Sequence, residues 1–111
     1  MTGRDEFDRV MEVLRHEYLI EAAERMAELR AGLADLRSGA PDMRARFKTL
    51  FHRLAGSGGS YGFPGISAIA KEAEQWVVAQ PELGAGEVVA VESRVDRLAE
   101  ELARARAQLE G

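Results

Sequence analysis

Apolar residues recur every three or four positions along most of the chain, and this spacing restricts the fold more than any other feature. The last segment repeats in this way at Val88, Val91, Val95, Leu98, Leu102, Ala105 and Leu109. The first segment does so at Phe7, Met11, Leu14, Tyr18, Ala22, Met26, Leu29, Leu33 and Leu36. No stretch sustains the alternation of apolar and polar residues that marks a half-buried strand. The sequence therefore predicts an all-α fold.

Prolines divide the helical pattern into segments, at Pro41, Pro64 and Pro81. Proline lacks the backbone N–H that an interior helical position needs, so each proline marks a connection or the first turn of a helix. The predicted helices cover roughly residues 4–37, 42–57, 64–79 and 86–109 of a single domain, 1–111. Short connections favour an antiparallel up-down-up-down four-helix bundle. The first helix is either long enough to pass the end of the bundle or extended by an extra N-terminal helix.

Composition excludes several classes of protein. The 111 residues include no cysteine, which excludes a disulfide framework and a thiol nucleophile. No apolar run approaches the roughly 20 residues of a membrane span, and no leader pattern is found, so we expect a cytoplasmic protein without membrane contact. The net charge of -4 argues against nucleic-acid binding.

Basic charge is concentrated in one part of this acidic chain. Residues 43–71 contain no Asp or Glu and carry a charge of +5, from Arg44, Arg46, Lys48, Arg53 and Lys71. The rest of the chain sums to -9. Such a distribution suits the binding of an acidic protein surface. Chance clustering on a solvated helix face is an equal alternative on charge alone.

His52 is predicted to point away from the core. On a helical wheel at about 100° per residue, it lies roughly 150° from the centre of the apolar side of the second helix. Its neighbours on the outer face are small except for one lysine, so another protein could approach closely; they are Ala45, Lys48, Thr49, Ala55, Gly56 and Gly59. A helical glycine costs about 1 kcal/mol relative to alanine, which suggests a role for Gly56. The alternative is that the helix ends there and the glycines form a loop.

The chemistry open to an exposed histidine is limited. Imidazole titrates near pH 6.5, so much of it is neutral and nucleophilic at pH 7. A hydrolytic triad needs a carboxylate beside the ring, and no acidic residue lies between Asp42 and Glu72. A metal site needs several ligands, and His16 and His52 lack ligand spacing. These points favour a histidine that exchanges a group with a partner protein; a hydrolase would require a carboxylate near His52.

Residues 51–63 resemble the signature of histidine-containing phosphotransfer (HPt) domains. The signature is approximately H-x-L-K-G-S-x-x-x-x-G followed by a helix, and the matching residues are His52, Leu54, Gly56, Ser57 and Gly62. Chain length and helix order extend the resemblance weakly to the whole sequence. The resemblance implies an antiparallel four-helix bundle. It also implies that His52 accepts a phosphoryl group, through Nε2, from the aspartyl phosphate of a response-regulator receiver domain.

Further expectations follow from this resemblance. The partner would be a receiver domain, with a hybrid histidine kinase as a further candidate, and the protein would be a monomer rather than a dimer. Magnesium would be bound by the receiver, so this chain would need no cofactor or metal and would have no ATP-dependent kinase activity. Residues expected to dock the partner or to stabilise the phosphoryl group are Ala45, Lys48, Thr49, Arg53, Ala55, Gly56, Ser57 and Gly59.

One position departs from the family signature. Ala55 stands where these domains usually have a lysine, three residues after the histidine. Either Lys48 or Arg53 supplies the missing charge, or transfer is slower or directed at a different receiver. A third alternative is a degenerate helical module that binds a receiver, or dimerises through its first helix, without being phosphorylated.

Overall fold

The computed structural model describes residues 2–110 and contains only helices within that range. The helices are α1 (Thr2–Arg37), α2 (Met43–Ser60), α3 (Pro64–Ala79) and α4 (Val88–Glu110), with a 3₁₀ turn over Ala85–Glu87. They form an antiparallel bundle in which each helix packs against its neighbours in the chain and α4 packs against α1. The predicted all-α four-helix bundle is confirmed. No helix in the described range is both long and apolar enough to cross a membrane.

The core lies along the bundle axis and takes large side chains from every helix. Phe47 and Phe51 of α2 are fully buried, and their ring centroids are 6.1 Å apart. Gly32 of α1 makes room for the first ring, because a Cβ there would lie 3.0 Å from the ring of Phe47. Burial of such a side chain contributes about 1.5–3 kcal/mol, so this layer fixes α1 against α2.

α2 continues through its glycines to Ser60, three residues past the rough end predicted near residue 57. Gly58 explains the continuation, since it is buried where α2 meets the start of α3. A Cβ at Gly58 would lie 3.1 Å from both the Tyr18 hydroxyl oxygen and the Ser67 backbone nitrogen. The helix then turns at Gly62, whose φ of +84° favours glycine. The close approach of α2 and α3 therefore requires glycine, and the loop alternative is wrong for 56–60.

Side chains from other helices hold both ends of α3. Arg44 of α2 donates from Nε to the Gln80 carbonyl at 2.8 Å and from Nη2 to the Val78 carbonyl at 2.6 Å. These carbonyls belong to the last turn, where helical partners are missing. At the other end, the Glu101 carboxylate of α4 lies so close to Gly65 that a Cβ there would overlap it. A negative charge at a helix N-terminus is favourable. Arg44 therefore caps the C-terminal end of α3, and Glu101 lies against its N-terminal end.

The first helix extends beyond the bundle as a continuation of α1 and not as a separate helix. α4 runs antiparallel to α1, as the Arg30–Asp96 ion pair at 2.8 Å shows, and it ends beside His16 and Ile20. Residues 3–14 of α1, here called the overhang, therefore lie past the end of α4. Phe7, although part of the predicted apolar repeat, is 63% exposed there. The molecule is consequently elongated, 55 × 22 × 17 Å.

Candidate functional site

His52 projects from the outer face of α2. The opposite face supplies the core residues of this helix, Met43, Phe47, Leu50, Phe51, Leu54 and Gly58. The imidazole side chain is 71% exposed, in agreement with the orientation predicted from the helical wheel. Its ring is therefore within reach of another protein.

The surface around His52 is formed by small residues. Ala45, Thr49, Gly56 and Gly59 are exposed on the same face of α2. No heavy atom of a neighbouring segment lies within 4 Å of the place where a Cβ at Gly56 would be. Gly56 is thus not required by internal packing, in contrast to Gly58. A partner backbone can approach the imidazole over this face without meeting a large side chain.

The structure adds one residue that the sequence analysis missed. Oε2 of Glu74, on α3, lies 2.9 Å from Nδ1 of His52. An ionised carboxylate can only accept hydrogen bonds, so Nδ1 must carry the proton that is donated. The neutral ring then has its lone pair on Nε2, directed away from Glu74. Glu74 therefore adds a carboxylate from α3 to the small residues and the lysine expected around His52 on α2.

Glu74 was missed because its position depends on how α2 and α3 pair. It lies 22 residues from His52, and the sequence analysis considered only carboxylates close to the histidine in sequence. A signal was present, since an antiparallel hairpin turning near residues 61–63 places residue 74 roughly opposite residue 52. Ala73 and Val77 define the core side of α3, and the Glu74 side chain, 19% exposed, lies at the edge of that side. Pairing the two helical wheels would have located it.

A carboxylate beside the histidine meets one requirement of a hydrolytic triad, but the nucleophile is missing. The hydroxyl of Ser57 donates to the Arg53 carbonyl at 2.8 Å. The hydroxyl of Ser67 donates to the Ala55 carbonyl at 2.7 Å. Neither hydroxyl, nor that of Thr49 on the same face of α2, is hydrogen-bonded to the ring within residues 2–110, which leaves the ring nitrogen itself as the nucleophile. The site does not have the arrangement of a serine hydrolase.

A shallow groove of about 350 Å³ adjoins the imidazole, lined by Lys48, Thr49, His52, Arg53 and Glu74. Lys48 and Arg53 are exposed, and within residues 2–110 they form no ion pair. These two cations can therefore interact with an anion brought to the ring by a partner.

Two other basic residues of 43–71 form contacts with neighbouring segments of the chain. Arg44 caps α3, and Arg46 pairs with Asp35 of α1 at 2.5 Å. Lys71 is exposed and, like Lys48 and Arg53, unpaired among the described residues. The charge of +5 read from the sequence thus overstates the cations available to a partner, which are Lys48, Arg53 and Lys71.

Two predicted site residues lie away from the exposed face of α2 that carries His52. Ser57 faces α1, where it lines a cavity of about 250 Å³ with Tyr18 and Arg25 among others. Ala55 is half-buried and packs against the core. The structure therefore does not bring Ser57 to the imidazole, and Ala55 contributes packing rather than charge.

The buried Tyr18 of α1 packs against the C-terminal part of α2. The Tyr18 hydroxyl donates to the Leu54 carbonyl at 3.4 Å, and its ring stacks on Tyr61 and Phe63 at centroid distances of 5.5 and 5.4 Å. Burial raises the pKa of the Tyr18 phenol; the Ser57 hydroxyl partly offsets this rise and the Glu21 charge adds to it. The phenol is therefore held neutral, and the aromatic stack fixes the connection between α2 and α3.

Comparison with known families gives one match. The family model described as Hpt domain matches residues 13–108. No curated protein and no solved structure matches the chain. The matched range contains His52, Glu74 and the whole groove, and it leaves out most of the overhang.

Proposed function

Because the chain belongs to the Hpt domain family, we propose that His52 accepts a phosphoryl group from the aspartyl phosphate of a response-regulator receiver domain. The group is then passed on to another receiver or returned. Histidine phosphotransfer within two-component phosphorelays is the general role of this family. The observation that carries the specific proposal is an imidazole, 71% exposed, whose Nδ1 is held by Glu74.

The transfer is a displacement at phosphorus. The Nε2 lone pair forms the N–P bond while the bond between phosphorus and the aspartyl oxygen breaks, and the receiver aspartate leaves as a carboxylate. The ring keeps its Nδ1 proton and becomes positively charged. Glu74, 2.9 Å from Nδ1, stabilises this charge as it develops. The same contact holds the tautomer in which Nε2 is free to attack.

Lys48 and Arg53 are the proposed partners of the phosphoryl oxygens. Both line the groove beside His52, and neither is paired with another described residue. They would supply the charge that the family usually places at the position of Ala55. Positive charge directed at the transferring oxygens lowers the barrier, because negative charge is spread over these atoms in the transition state.

The receiver would dock over the face formed by Ala45, Thr49, Gly56 and Gly59. Magnesium would be held by the acidic pocket of the receiver, and we expect this chain to need no cofactor of its own and to lack ATP-dependent kinase activity. A hybrid histidine kinase would be a second partner through its receiver domain.

A phosphotransfer assay tests the proposal. Labelled receiver domains from the same genome are mixed with the wild-type chain, with His52→Gln and with His16→Gln. We expect acid-labile, base-stable label on the wild type and on His16→Gln, and none on His52→Gln. Unchanged helical circular dichroism would show that the variants fold. Label retained on His52→Gln, or no label on the wild type with any receiver, would contradict the proposal.

The alternative is a degenerate module that binds a receiver without being phosphorylated. It predicts receiver binding that His52→Gln leaves unchanged, together with no label on the wild-type chain. Calorimetric titration of the same variants with a receiver separates the two functions. The contact between Glu74 and Nδ1 of His52 supports phosphotransfer over the degenerate module, because binding alone does not need a fixed tautomer.

A further inference from the structure

We propose that Lys71 of α3 contacts the phosphoryl group carried by His52 and stabilises it from the side of the imidazole that faces α3. This inference rests on the proposed role of His52 as the phosphoacceptor. It adds a third cation, from a second helix, to Lys48 and Arg53 of α2. In the sequence, Lys71 stands out only as part of the basic charge of residues 43–71.

Two contacts fix the register between α2 and α3 on either side of Lys71. The Ser67 hydroxyl donates to the Ala55 carbonyl at 2.7 Å, and Oε2 of Glu74 lies 2.9 Å from Nδ1 of His52. Lys71 comes four residues after Ser67 and three before Glu74, so all three lie along the side of α3 that faces α2. Because the two helices are antiparallel, Lys71 lies at about the level of Ala55, one turn after His52.

The side chain of Lys71 is free to turn toward the ring. It is exposed, and within residues 2–110 it forms no ion pair. Glu74, the carboxylate three residues further on, is bonded to the imidazole instead. At the level of Lys71, α2 presents Ala55 and Gly59, which have a methyl group and no side chain. The flexible four-carbon stem of the lysine therefore meets no long side chain of α2 between its own helix and the ring.

Glu74 makes positive charge favourable on this side of the ring. Its carboxylate stabilises the charged imidazole, but it also repels the phosphoryl group, which carries roughly two negative charges and three acceptor oxygens. Lys48 lies one turn before His52, and Arg53 also lines a cavity between α2 and α1. Beyond Arg53, residues 54–60 of α2 contain no charged side chain. Lys71 therefore supplies a cation at a level where α2 has none, and a charge-assisted hydrogen bond to a phosphoryl oxygen is strong.

Phosphoramidate, a small phosphoryl donor, separates this role from the docking of a receiver. Nε2 of His52 forms a bond to phosphorus while the P–N bond of phosphoramidate breaks, and the protonated nitrogen leaves as ammonia. The ring keeps its Nδ1 proton, as in transfer from a receiver. Because this donor has no protein surface, a variant that slows the reaction acts at the imidazole itself.

The rate at which phosphoramidate phosphorylates the full chain, followed by phosphorus NMR, tests the inference. Lys71→Ala is expected to slow the reaction roughly threefold to fivefold, the effect of losing one exposed charge pair. Lys71→Arg keeps the charge and should retain most of the rate. Arg106→Ala is the control of equal charge change and should react like the wild type. Arg106 is exposed on α4, which lies diagonally across the bundle from α2.

Moving the charge to α2 distinguishes a local role of Lys71 from a structural one. The double variant Ala55→Lys with Lys71→Ala places an ammonium group at about the same level from the opposite helix. It should recover most of the rate that Lys71→Ala loses. Circular dichroism checks that each variant is helical. If the double variant does not fold, the comparison of Lys71→Ala with Lys71→Arg decides.

The outcomes separate this inference from the proposed function. A wild-type rate for Lys71→Ala, equal slowing by Arg106→Ala or by Lys71→Arg, or a folded double variant that stays slow would overturn the inference alone, because His52 would still be labelled. No label on the wild-type chain from phosphoramidate or from any receiver would overturn both. Label from phosphoramidate and from no receiver would contradict the receiver as donor, and the rates of the Lys71 variants would still decide the role of Lys71.

Discussion

Gly56 and Gly58 lie two residues apart on α2, in opposite surroundings. A Cβ at Gly56 would meet nothing within 4 Å, whereas one at Gly58 would lie 3.1 Å from the Tyr18 hydroxyl oxygen. One glycine is therefore required by packing inside the molecule. Gly56 instead leaves the surface beside His52 free of a side chain, which affects the approach of a partner and not the packing of the fold. Their pairing in one helix makes the two roles separable by experiment.

Alanine at these two positions should change stability in opposite directions. Gly56→Ala is expected to raise the free energy of unfolding by about 0.5–1 kcal/mol, because alanine is the better helix former and meets no obstacle. Gly58→Ala should lower it by about 1–3 kcal/mol through overpacking against α3. Urea denaturation measures both changes. Changes of equal sign in the free energy of unfolding would contradict the different surroundings of Gly56 and Gly58.

Glu74 is a positioning residue for His52, and its removal should affect chemistry more than folding. Glu74→Ala is expected to slow phosphotransfer by about tenfold or more, because the reactive tautomer and the charge on the ring lose their stabilisation. Nitrogen NMR of the imidazole should show a mixture of tautomers. The control is Glu72→Ala, since Glu72 bonds Arg94 of α4 instead of His52. Equal slowing by both variants would remove the role assigned to Glu74.

The buried phenol of Tyr18 predicts a loss of stability at high pH. Its pKa is raised above 10.0 in the folded chain, so the unfolded chain loses its phenolic proton first as the pH rises. Above about pH 10 the unfolded state therefore binds fewer protons and stability falls. Tyr18→Phe should reduce this slope, whereas Tyr61→Phe, which keeps Tyr18, should retain it. Urea denaturation across that range measures the slope.

At the scale of elements, α3 is positioned by contacts that a sequence pattern does not display. Proline at its start and the helical repeat of 66–77 predict that the helix exists. Arg44 and Glu101, which hold its two ends, come from α2 and α4 and carry no local signal. The same reason explains why His52 could be placed from its own helical wheel while Glu74 required knowledge of the pairing. Residues that act within one helix could be placed from that helix alone, whereas residues that act between helices also required the pairing of the helices.

Loss of the cap on α3 should destabilise the bundle. Arg44→Ala is expected to lower the free energy of unfolding by about 1–2 kcal/mol, because two charge-assisted hydrogen bonds to end carbonyls are lost. Arg46→Ala removes only an exposed ion pair with Asp35 and should cost less than about 1 kcal/mol. Thermal or urea denaturation of the two variants compares them directly. A larger effect at Arg46 would contradict the capping role.

At the scale of the whole molecule, this acidic protein has a segment on α2 and α3, residues 43–71, that contains basic residues and no acidic ones. The exposed basic residues of this segment are Lys48 and Arg53 on α2 and Lys71 on α3. Acidic residues outnumber basic residues in the remainder of the chain. Such an arrangement orients an acidic partner during encounter. The basic cluster was visible in the sequence. Its division into residues that hold the fold and residues that face solvent became clear only from the contacts.

Phosphotransfer from a receiver should therefore weaken as salt rises. Exposed charges are screened over about 8–10 Å at physiological ionic strength, so kcat/KM should fall across a salt titration. The double variant Lys48→Ala with Arg53→Ala should lower kcat/KM and flatten its dependence on salt. Arg97→Ala with Arg104→Ala changes the net charge equally on α4 and should leave the dependence intact. Identical salt profiles for the two double variants would argue against local steering.

Because α1 is one continuous helix, it fixes the orientation of a group joined to the overhang relative to the bundle. Its 36 residues, Thr2–Arg37, span roughly 54 Å at 1.5 Å per residue, and this length includes both the part inside the bundle and the overhang. A reporter protein joined to that tip through continuous helix would turn by about 100° and advance about 1.5 Å for every residue inserted. The orientation of the reporter relative to His52 could thus be changed in fixed steps by the number of residues inserted. The bundle that holds the histidine would not be altered.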